Sequence, residues 1–224
     1  MLAVRENATW CDVVCRLHRF TPEGDARLWW SARRTPDLYP DAVTLVPDLP
    51  VLDVLGRIAD SPGASVKDSF ATLDLTDQGW TVLFEATWIA RAPGVGADAE
   101  IADGFTVVRE KFPFLAWRRA WGGPEDVLPT GLRRAGGVTV LGRIRDQEFT
   151  DGAVLHRTEI AGTPVVGLWN AFGDWPAVAA AASTRNPDAW IVGYERDADL
   201  DTALAAGFVA VGPLRVWHRA VVPA

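Results

Sequence analysis

Two stretches in the first half of the chain carry ionisable side chains at places where they could act on a ligand. The cluster Lys67-Asp68-Ser69 follows an apolar strand-like stretch and precedes a predicted short helix. A partly buried lysine beside an aspartate can bind a carboxylate, or act as a base if burial lowers its pKa. The same cluster would also suit a solvated turn in which Asp68 or Ser69 caps the helix.

Glu85 lies inside the apolar segment TVLFEATWIA, whose alternation puts it on the opposite side of a strand from Phe84. An acidic residue in such a strand either faces water or has a functional role. If it is buried, its raised pKa would suit a general acid or base.

Polar and aromatic residues also stand at the ends of two predicted strands in the second half, Trp169-Asn170 and Tyr194-Glu195. These strands are expected to be neighbours, so the four side chains should meet at one cleft. Asn170 could bind an amide or a carboxylate, or cap a turn, and Glu195 is a second candidate base. His156 could be a base too, although a lone strand histidine more often faces outward.

Arg33-Arg34 with Tyr39 could clamp a carboxylate or a phosphate, or could be surface charge.

Cys11 and Cys15 are four residues apart and share a helical face, which does not favour a strain-free disulfide. Core packing is the expected role of these thiols, and no metal site is predicted.

The composition excludes some classes of function. The 224 residues are 49% hydrophobic and carry a net charge of −7, which argues against binding to nucleic acid. Residues 1–19 do not resemble a signal peptide, and no apolar run approaches the roughly 20 residues of a membrane span. We therefore expect a cytoplasmic protein with a small-molecule substrate, which could be a homodimer.

Most of the eleven tryptophans should be buried, but Trp29 and Trp30 cannot both face inward from one strand.

The elements that would position these residues occur twice. Gly79-Trp80 and Gly207-Phe208 lie 128 residues apart, and each follows a strand, a polar cluster and a predicted short helix. Each glycine suits the left-handed turn that ends a helix. The stretch 91–104 is the best linker candidate, so the sequence predicts two units, 1–103 and 104–224.

The second unit resembles the GCN5-related N-acetyltransferase (GNAT) fold, in its order of strand, helix, three meandering strands, helix, strand, helix, Gly-Phe and strand. The segments AVLHRTEI and TPVVGLWNAF match the meander, and DLDTALAAGF matches the last helix with its Gly-Phe. The first unit resembles only the later half of that fold. The predicted class is therefore α/β with a mixed sheet, built as a duplicated GNAT-like fold with a degenerate first copy.

The resemblance implies acetyl-CoA or another acyl-CoA as the donor, with its diphosphate at a helix N-terminus. The family loop there reads roughly Q/R-x-x-G-x-G/A, but this chain has NAFGDWPAV, with one glycine and Asp174 as a probable N-cap. The corresponding loop of the first unit, VPDLPVLD, has no glycine. The family tyrosine that protonates the departing thiolate is replaced by Ala203, and by Leu75 in the first unit.

Three functions follow from this sequence. The first is acyl-CoA-dependent N-acyl transfer to a small amine or amino-acid-like metabolite, with Glu85 or Glu195 as the base. The second is a GNAT fold that has lost acyl transfer and either catalyses a cyclisation, decarboxylation or hydrolysis or only binds a ligand. The third is a non-catalytic scaffold.

Overall fold

Eleven strands and five helices make up residues 1–220, which are the part of the chain that the computed structural model describes. The helices are α1 (Leu2–Leu17), α2 (Val51–Leu55), α3 (Lys111–Trp121), α4 (Trp175–Arg185) and α5 (Asp197–Ala205). The strands are β1 (Glu23–Gly24), β2 (Leu28–Trp30), β3 (Ala42–Thr44), β4 (Ser65–Asp68), β5 (Trp80–Arg91), β6 (Phe105–Val107), β7 (Val138–Arg145), β8 (Glu148–Ile160), β9 (Thr163–Phe172), β10 (Trp190–Glu195) and β11 (Val209–Arg219).

All eleven strands belong to one mixed sheet, in the order β1-β2-β3-β4-β11-β5-β10-β9-β8-β7-β6. The pairs β3–β4 and β9–β10 are parallel, and the other neighbours are antiparallel. This arrangement confirms the predicted mixed α/β class. The meander β7-β8-β9 lies at one side of the sheet, as the order of elements predicts.

The two halves of the chain exchange strands at the centre of the sheet. β5 pairs with β10, and β11 pairs with β4, so each of these strands extends the sheet of the other half. β5 and β11 also pair with each other, through Glu85–Arg215 and Thr87–Pro213. An offset of 128 residues converts one of these two pairs into the other. The internal repeat in the sequence and the pairing of β5 with β11 therefore follow the same symmetry. The duplication and the boundary at residue 103 stay predictions.

Helices cover both faces of the sheet. On one face, here called the α1 face, Val4, Trp10 and Val14 of α1 pack on the sheet beside Phe114 and Trp117 of α3. The other face, here called the α4 face, carries α4 and α5. Period-two alternation alone would expose one side of each strand, so this double cover explains why the central strands are apolar on both sides.

The burial of two tryptophans and two cysteines can be compared with the expectations from the sequence. Trp29 and Trp30 are both buried, on opposite faces of β2, so the expectation that they could not both be inside is wrong. Cys11 and Cys15 are free thiols buried under α1, which is the expected packing role. No helix within residues 1–220 is long and apolar enough to cross a membrane.

The short helix predicted before Gly79 is wrong. Only a single 3-10 turn, Thr76–Gln78, occupies that place, whereas the second half has the full helix α5. The glycines behave as predicted, because Gly79 (φ 77°) and Gly207 (φ 88°) both adopt the left-handed conformation.

Candidate functional site

The two parallel strands β9 and β10 separate before they end. Their pairing runs from Val165–Trp190 to Gly167–Val192 and then stops. Beyond that point β10 pairs only with β5, while β9 follows β8 through a register shift at Asn170, whose φ is +52°. The separation opens a gap in the sheet, here called the β9/β10 gap.

A cavity of about 540 Å³ lies on the α1 face beside this gap. It is here called the central cavity. Its walls come from both halves of the chain, because α1 and the loop 36–40 cover the exchanged strands at this point. The lining includes Asn7, Trp10 and Cys11 of α1, Tyr39 of the loop, Ser65 and Lys67 of β4, Phe84 of β5, Trp169 and Asn170 of β9, Tyr194 of β10, and Val216 and His218 of β11.

Lys67 is the charged group in the wall of the central cavity that is most deeply buried. It is 5% exposed, and its Nζ donates to Asn7 Oδ1 at 3.0 Å. The same Nζ lies 4.5 Å from the centroid of the Tyr194 ring and 5.9 Å from that of Trp88. Within residues 1–220 no carboxylate oxygen lies within 4.0 Å of it. The ammonium is therefore held by an amide and two aromatic rings, without a counter-ion.

The predicted partnership of Lys67 with Asp68 is wrong. Successive strand residues point to opposite faces, so Asp68 turns away and accepts hydrogen bonds from the N–H groups of Leu73 (2.8 Å) and Phe70 (3.3 Å). Burial raises the pKa of Asp68. Ser69 is also buried, and its N–H donates to Thr44 Oγ1 at 2.8 Å. Asp68 and Ser69 thus shape the turn after β4.

Three of the four residues at the predicted strand ends meet, and the fourth, Glu195, does not. Trp169, Asn170 and Tyr194 all line the central cavity. The Asn170 Oδ1 atom is buried there and has no hydrogen-bond partner within the described residues. The wall of the cavity therefore contains the ammonium of Lys67 on β4, while the unpartnered oxygen of Asn170 lies behind the accessible surface of the cavity.

A buried polar cluster supports the wall behind Trp169. Glu6 Oε1 lies 2.7 Å from His156 Nδ1, and Trp169 Nε1 donates to the same oxygen at 3.5 Å. Burial raises the pKa of Glu6, against the lowering effect of His156. The expectation that His156 faces outward is wrong, because α1 covers this part of β8. Glu6 was missed, although an acid between Ala3 and Trp10 on an apolar helical face is a usable signal.

The two predicted bases lie elsewhere. The Glu85 side chain is 62% exposed and pairs with Arg215 at 2.8 Å, on the face opposite to Phe84. Glu195 lies on the α4 face, where its Oε1 accepts a hydrogen bond from Trp175 Nε1 at 3.1 Å. Burial raises the pKa of Glu195 to about 7. Neither carboxylate lines the central cavity.

The arginine pair is separated by the structure. Arg34 lies at the rim of the central cavity, but its guanidinium already pairs with Asp41 and the carbonyl of Gly63. Arg33 is exposed, with its guanidinium 5.2 Å from the centroid of the Phe20 ring. Tyr39 is buried in the cavity wall, where it could contact a bound carboxylate or phosphate. Neither arginine has a free guanidinium that could bind the same anion.

The start of α4 is where a GNAT fold would hold the diphosphate of an acyl-CoA. Asp174 is the N-cap, as predicted, and its Oδ1 accepts from the Ala177 N–H at 3.2 Å. The Asp174 N–H itself donates to Asp151 Oδ1 at 2.6 Å, and Pro176 has no N–H. Carboxylates therefore already occupy these donors, and their charge opposes an incoming diphosphate even though Arg143 pairs with both.

On the α4 face, the start of α4 contacts the end of β10. Trp175, at the start of α4, reaches Glu195 at the end of β10 and packs edge-on against Phe208, with ring centroids 5.2 Å apart. This indole joins the start of α4, which follows β9 in the chain, to the end of β10, where a pantetheine arm would pass in a GNAT fold. The residues present at α4 and in the gap therefore do not fit a bound acyl-CoA.

Comparisons with solved structures agree with this fold. A GCN5-related N-acetyltransferase from Kribbella flavida is similar over 96% of this chain and 95% of its own, with a TM-score of 0.61 and 14% identity. A protein from Novosphingobium aromaticivorans described as a member of the GNAT family gives 95% and 96% coverage, a TM-score of 0.53 and 10% identity. These similarities show that the chain has the GNAT fold.

A Saccharomyces cerevisiae N-myristoyltransferase with bound myristoyl-CoA and inhibitors is similar over 88% of this chain and 63% of its own. Its TM-score is 0.52, and 8% of the residues are identical. No protein family matches the sequence, and no curated protein does.

Proposed function

We propose that this chain is a GNAT-fold protein that acts on a small metabolite held in the central cavity. The observation that carries the proposal is the cavity itself, because it combines about 540 Å³ with aromatic walls and the buried ammonium of Lys67, which has no counter-ion within the described residues. Ligand sites are typically concave and largely apolar, with a few convergent polar groups that fix orientation. The proposed activity is not acyl transfer from a CoA held at α4.

Acyl-CoA-dependent N-acyl transfer to a small amine or amino-acid-like metabolite is the second candidate. One observation favours it, namely that β9 and β10 are parallel and separate after Gly167 and Val192. The similarity in fold to an N-myristoyltransferase with bound myristoyl-CoA agrees with it. The capped α4 terminus and the Trp175–Glu195 bridge count against it.

Thermal denaturation with CoA and acetyl-CoA separates the two candidates. A ligand at a hundredfold excess over its Kd stabilises a protein by about 2.7 kcal/mol, which would raise the Tm of a chain this size by roughly 5–10 °C. We expect no shift with either compound at millimolar concentration. A saturable rise in Tm with CoA would favour the acyltransferase instead.

A panel of amino acids and N-acyl amino acids tests the central cavity in the same assay. Val216 of β11 lines the central cavity, so Val216→Phe adds a ring to its wall, and we expect this variant to abolish any shift that a panel member produces. Val209→Phe, on the exposed part of the same strand, is the matched control and should keep the shift. If no panel member changes the Tm of the wild type, the small-metabolite proposal is contradicted and a non-catalytic scaffold is favoured.

A further inference from the structure

The charged groups of the central cavity define the class of ligand that it takes. We infer that this ligand is a carboxylic acid with an aromatic or apolar body, and that Lys67 Nζ recognises it through its carboxylate alone. An amino group is not part of the recognition. This inference rests on the proposed function, since it names the substrate class of the same cavity.

The ammonium of Lys67 lies at the wall of the cavity. Lys67 lines the cavity, and so do the two groups that hold its Nζ, namely the Asn7 amide at 3.0 Å and the Tyr194 ring at 4.5 Å. An ammonium has three N–H donors, and within residues 1–220 Asn7 Oδ1 accepts from it. Donors of this ammonium are therefore left for a ligand in the cavity.

Asp37 also lines the cavity, but its carboxylate does not neutralise Lys67. Asp37 is exposed in the loop 36–40, and within residues 1–220 no basic nitrogen lies within 4.0 Å of its oxygens. Burial lowers the pKa of Arg34, and the charge of Asp37 opposes that shift, so Asp37 lies towards Arg34 at the rim. Water screens an exposed carboxylate, which therefore contributes little to a buried cation.

The thiol and the buried phenol of the wall supply no anion either. Burial raises the pKa of Cys11 to about 12, and it raises the pKa of Tyr39 well above its ordinary value. Both groups are therefore neutral at pH 7. A cation taken out of water is costly unless an anion accompanies it, and aromatic faces offset only part of that cost. A bound carboxylate would supply the missing charge.

One negative charge suits this wall better than two. The guanidinium of Arg34 already pairs with Asp41 and with the carbonyl of Gly63, so Lys67 faces the ligand alone. Asp37 at the rim repels a second negative charge. A phosphate monoester carries about −1.5 to −2 charges at pH 7, so a carboxylate is favoured over a phosphate.

The two amide oxygens of the wall are not open to an amino group on the ligand. Asn7 Oδ1 already accepts from Lys67, and Asn170 Oδ1 lies behind the accessible surface. An α-ammonium beside the carboxylate would also lie near the Lys67 ammonium, where like charges repel. An amino group therefore adds nothing to the binding of the acid.

The body of the ligand lies against aromatic walls. Trp10 and Tyr39 are tilted against each other with ring centroids 6.4 Å apart, and Phe84 is stacked with Tyr194 at the same centroid distance. Such walls accommodate an apolar or planar group and offer few partners to a charged one. This favours an aromatic or apolar body over a second charged group.

Isothermal titration calorimetry at pH 7 tests the inference with 3-phenylpropanoate, 3-phenylpropanamide, propanoate and L-phenylalanine. We expect 3-phenylpropanoate to bind, and its amide to bind at least about tenfold more weakly because it cannot pair with the ammonium. Propanoate should also bind at least about tenfold more weakly, because it has no ring to bury. L-phenylalanine should bind no more tightly than 3-phenylpropanoate.

Variants then assign the contacts. Lys67→Met should weaken binding of 3-phenylpropanoate by at least about tenfold, while Lys111→Met is the matched control, since the only other lysine is exposed on α3. Asp37→Asn should change the affinity by less than about fivefold, because the charge it removes is exposed. If Lys67→Met does not fold, the comparison of acid and amide in the wild type decides.

Five results would overturn the inference. They are no binding of 3-phenylpropanoate, equal binding of acid and amide, equal affinity of Lys67→Met and the wild type, tightening by about tenfold or more in Asp37→Asn, and binding of L-phenylalanine about tenfold more tightly than the acid. The fourth result would identify Asp37 as the counter-ion of Lys67. Binding of the amide that equals that of the acid, and that Val216→Phe abolishes, would leave the proposed function standing while this inference fails.

Discussion

Glu6 of α1 and His156 of β8 form a hydrogen bond of 2.7 Å between Oε1 and Nδ1 in the buried layer between helix and sheet. The two residues are 150 positions apart, so the contact fixes the start of the chain on the second half of the sheet. Trp169, which donates to the same carboxylate, is a wall of the central cavity. The pair therefore acts on the cavity indirectly, as a support.

Replacing either partner of this pair should destabilise the protein. Glu6→Ala or His156→Ala leaves a buried polar group without its partner, which typically costs about 1–3 kcal/mol. Urea denaturation followed by circular dichroism measures the free energy of unfolding. Glu159→Ala, an exposed acid on the same strand as His156, is the control and should change it by less than about 0.5 kcal/mol. Equal stability of Glu6→Ala and the control would show that the pair is dispensable.

Gly167 should not tolerate a side chain, because a Cβ there would collide with the Glu6 carboxylate and the Trp169 indole. We expect Gly167→Ala to lower the free energy of unfolding by about 1–3 kcal/mol through overpacking. It should also weaken any ligand of the central cavity, since Trp169 must move. Gly136→Ala is the control, as nothing among residues 1–220 lies within 4 Å of its new Cβ. A thermal melt of both variants, with and without ligand, is the measurement.

Glu195 should make stability depend on pH. Burial raises its pKa from 4.5 in the unfolded chain to about 7 in the folded one. The folded protein therefore keeps this proton across a window from about pH 4.5 to 7 in which the unfolded chain has lost it, so stability falls as the pH rises through that window. Glu195→Gln keeps the contact to Trp175 and removes the titration.

The measurement for Glu195 is the difference in unfolding free energy between Glu195→Gln and the wild type at pH 5 and pH 8. This difference should move in favour of the variant by about 1–3 kcal/mol with rising pH. Glu100→Gln, at an exposed loop position, should give a flat difference and serves as the control. A flat difference for Glu195→Gln as well would rule out the raised pKa.

Asp174 should contribute to stability as the N-cap of α4. Asp174→Ala removes the bond from the Ala177 N–H and the contact with Arg143, and loss of such a cap typically costs about 1 kcal/mol. Asp126→Ala, at an exposed position in the loop after α3, is the matched control. Chemical denaturation is the readout, and an unchanged midpoint would show that the aspartate does not cap the helix.

The order of elements in this fold could be predicted from local signals. Gly79 and Gly207 ended their turns in the left-handed conformation, and the meander β7-β8-β9 followed from alternating apolar runs. The exchange of β5 and β11 could not be predicted, because strand pairing across more than 100 residues leaves no local trace in the chain. The 3-10 turn before Gly79 replaced an expected helix for the same reason, since the packing of distant elements overrides weak local propensity.

The candidate site was predicted in part. Lys67, Trp169, Asn170 and Tyr194 were found as polar or aromatic residues at strand ends, and they meet in the central cavity. Alternation placed Glu85 on one side of β5 but could not tell that this side is exposed. The contributions of Glu6 and Asn7 were missed because they depend on where α1 packs, which only the tertiary structure fixes.

The central claim is that the central cavity binds the ligand and the start of α4 does not. Amide chemical-shift mapping by NMR, with L-phenylalanine and with CoA added separately, tests it most directly. The account predicts that L-phenylalanine shifts the amides of Lys67, Asn170 and Tyr194 with one common Kd, and that CoA leaves the amides of residues 173–178 in place. Saturable CoA-induced shifts confined to residues 173–178, with none from L-phenylalanine at the cavity, would contradict it.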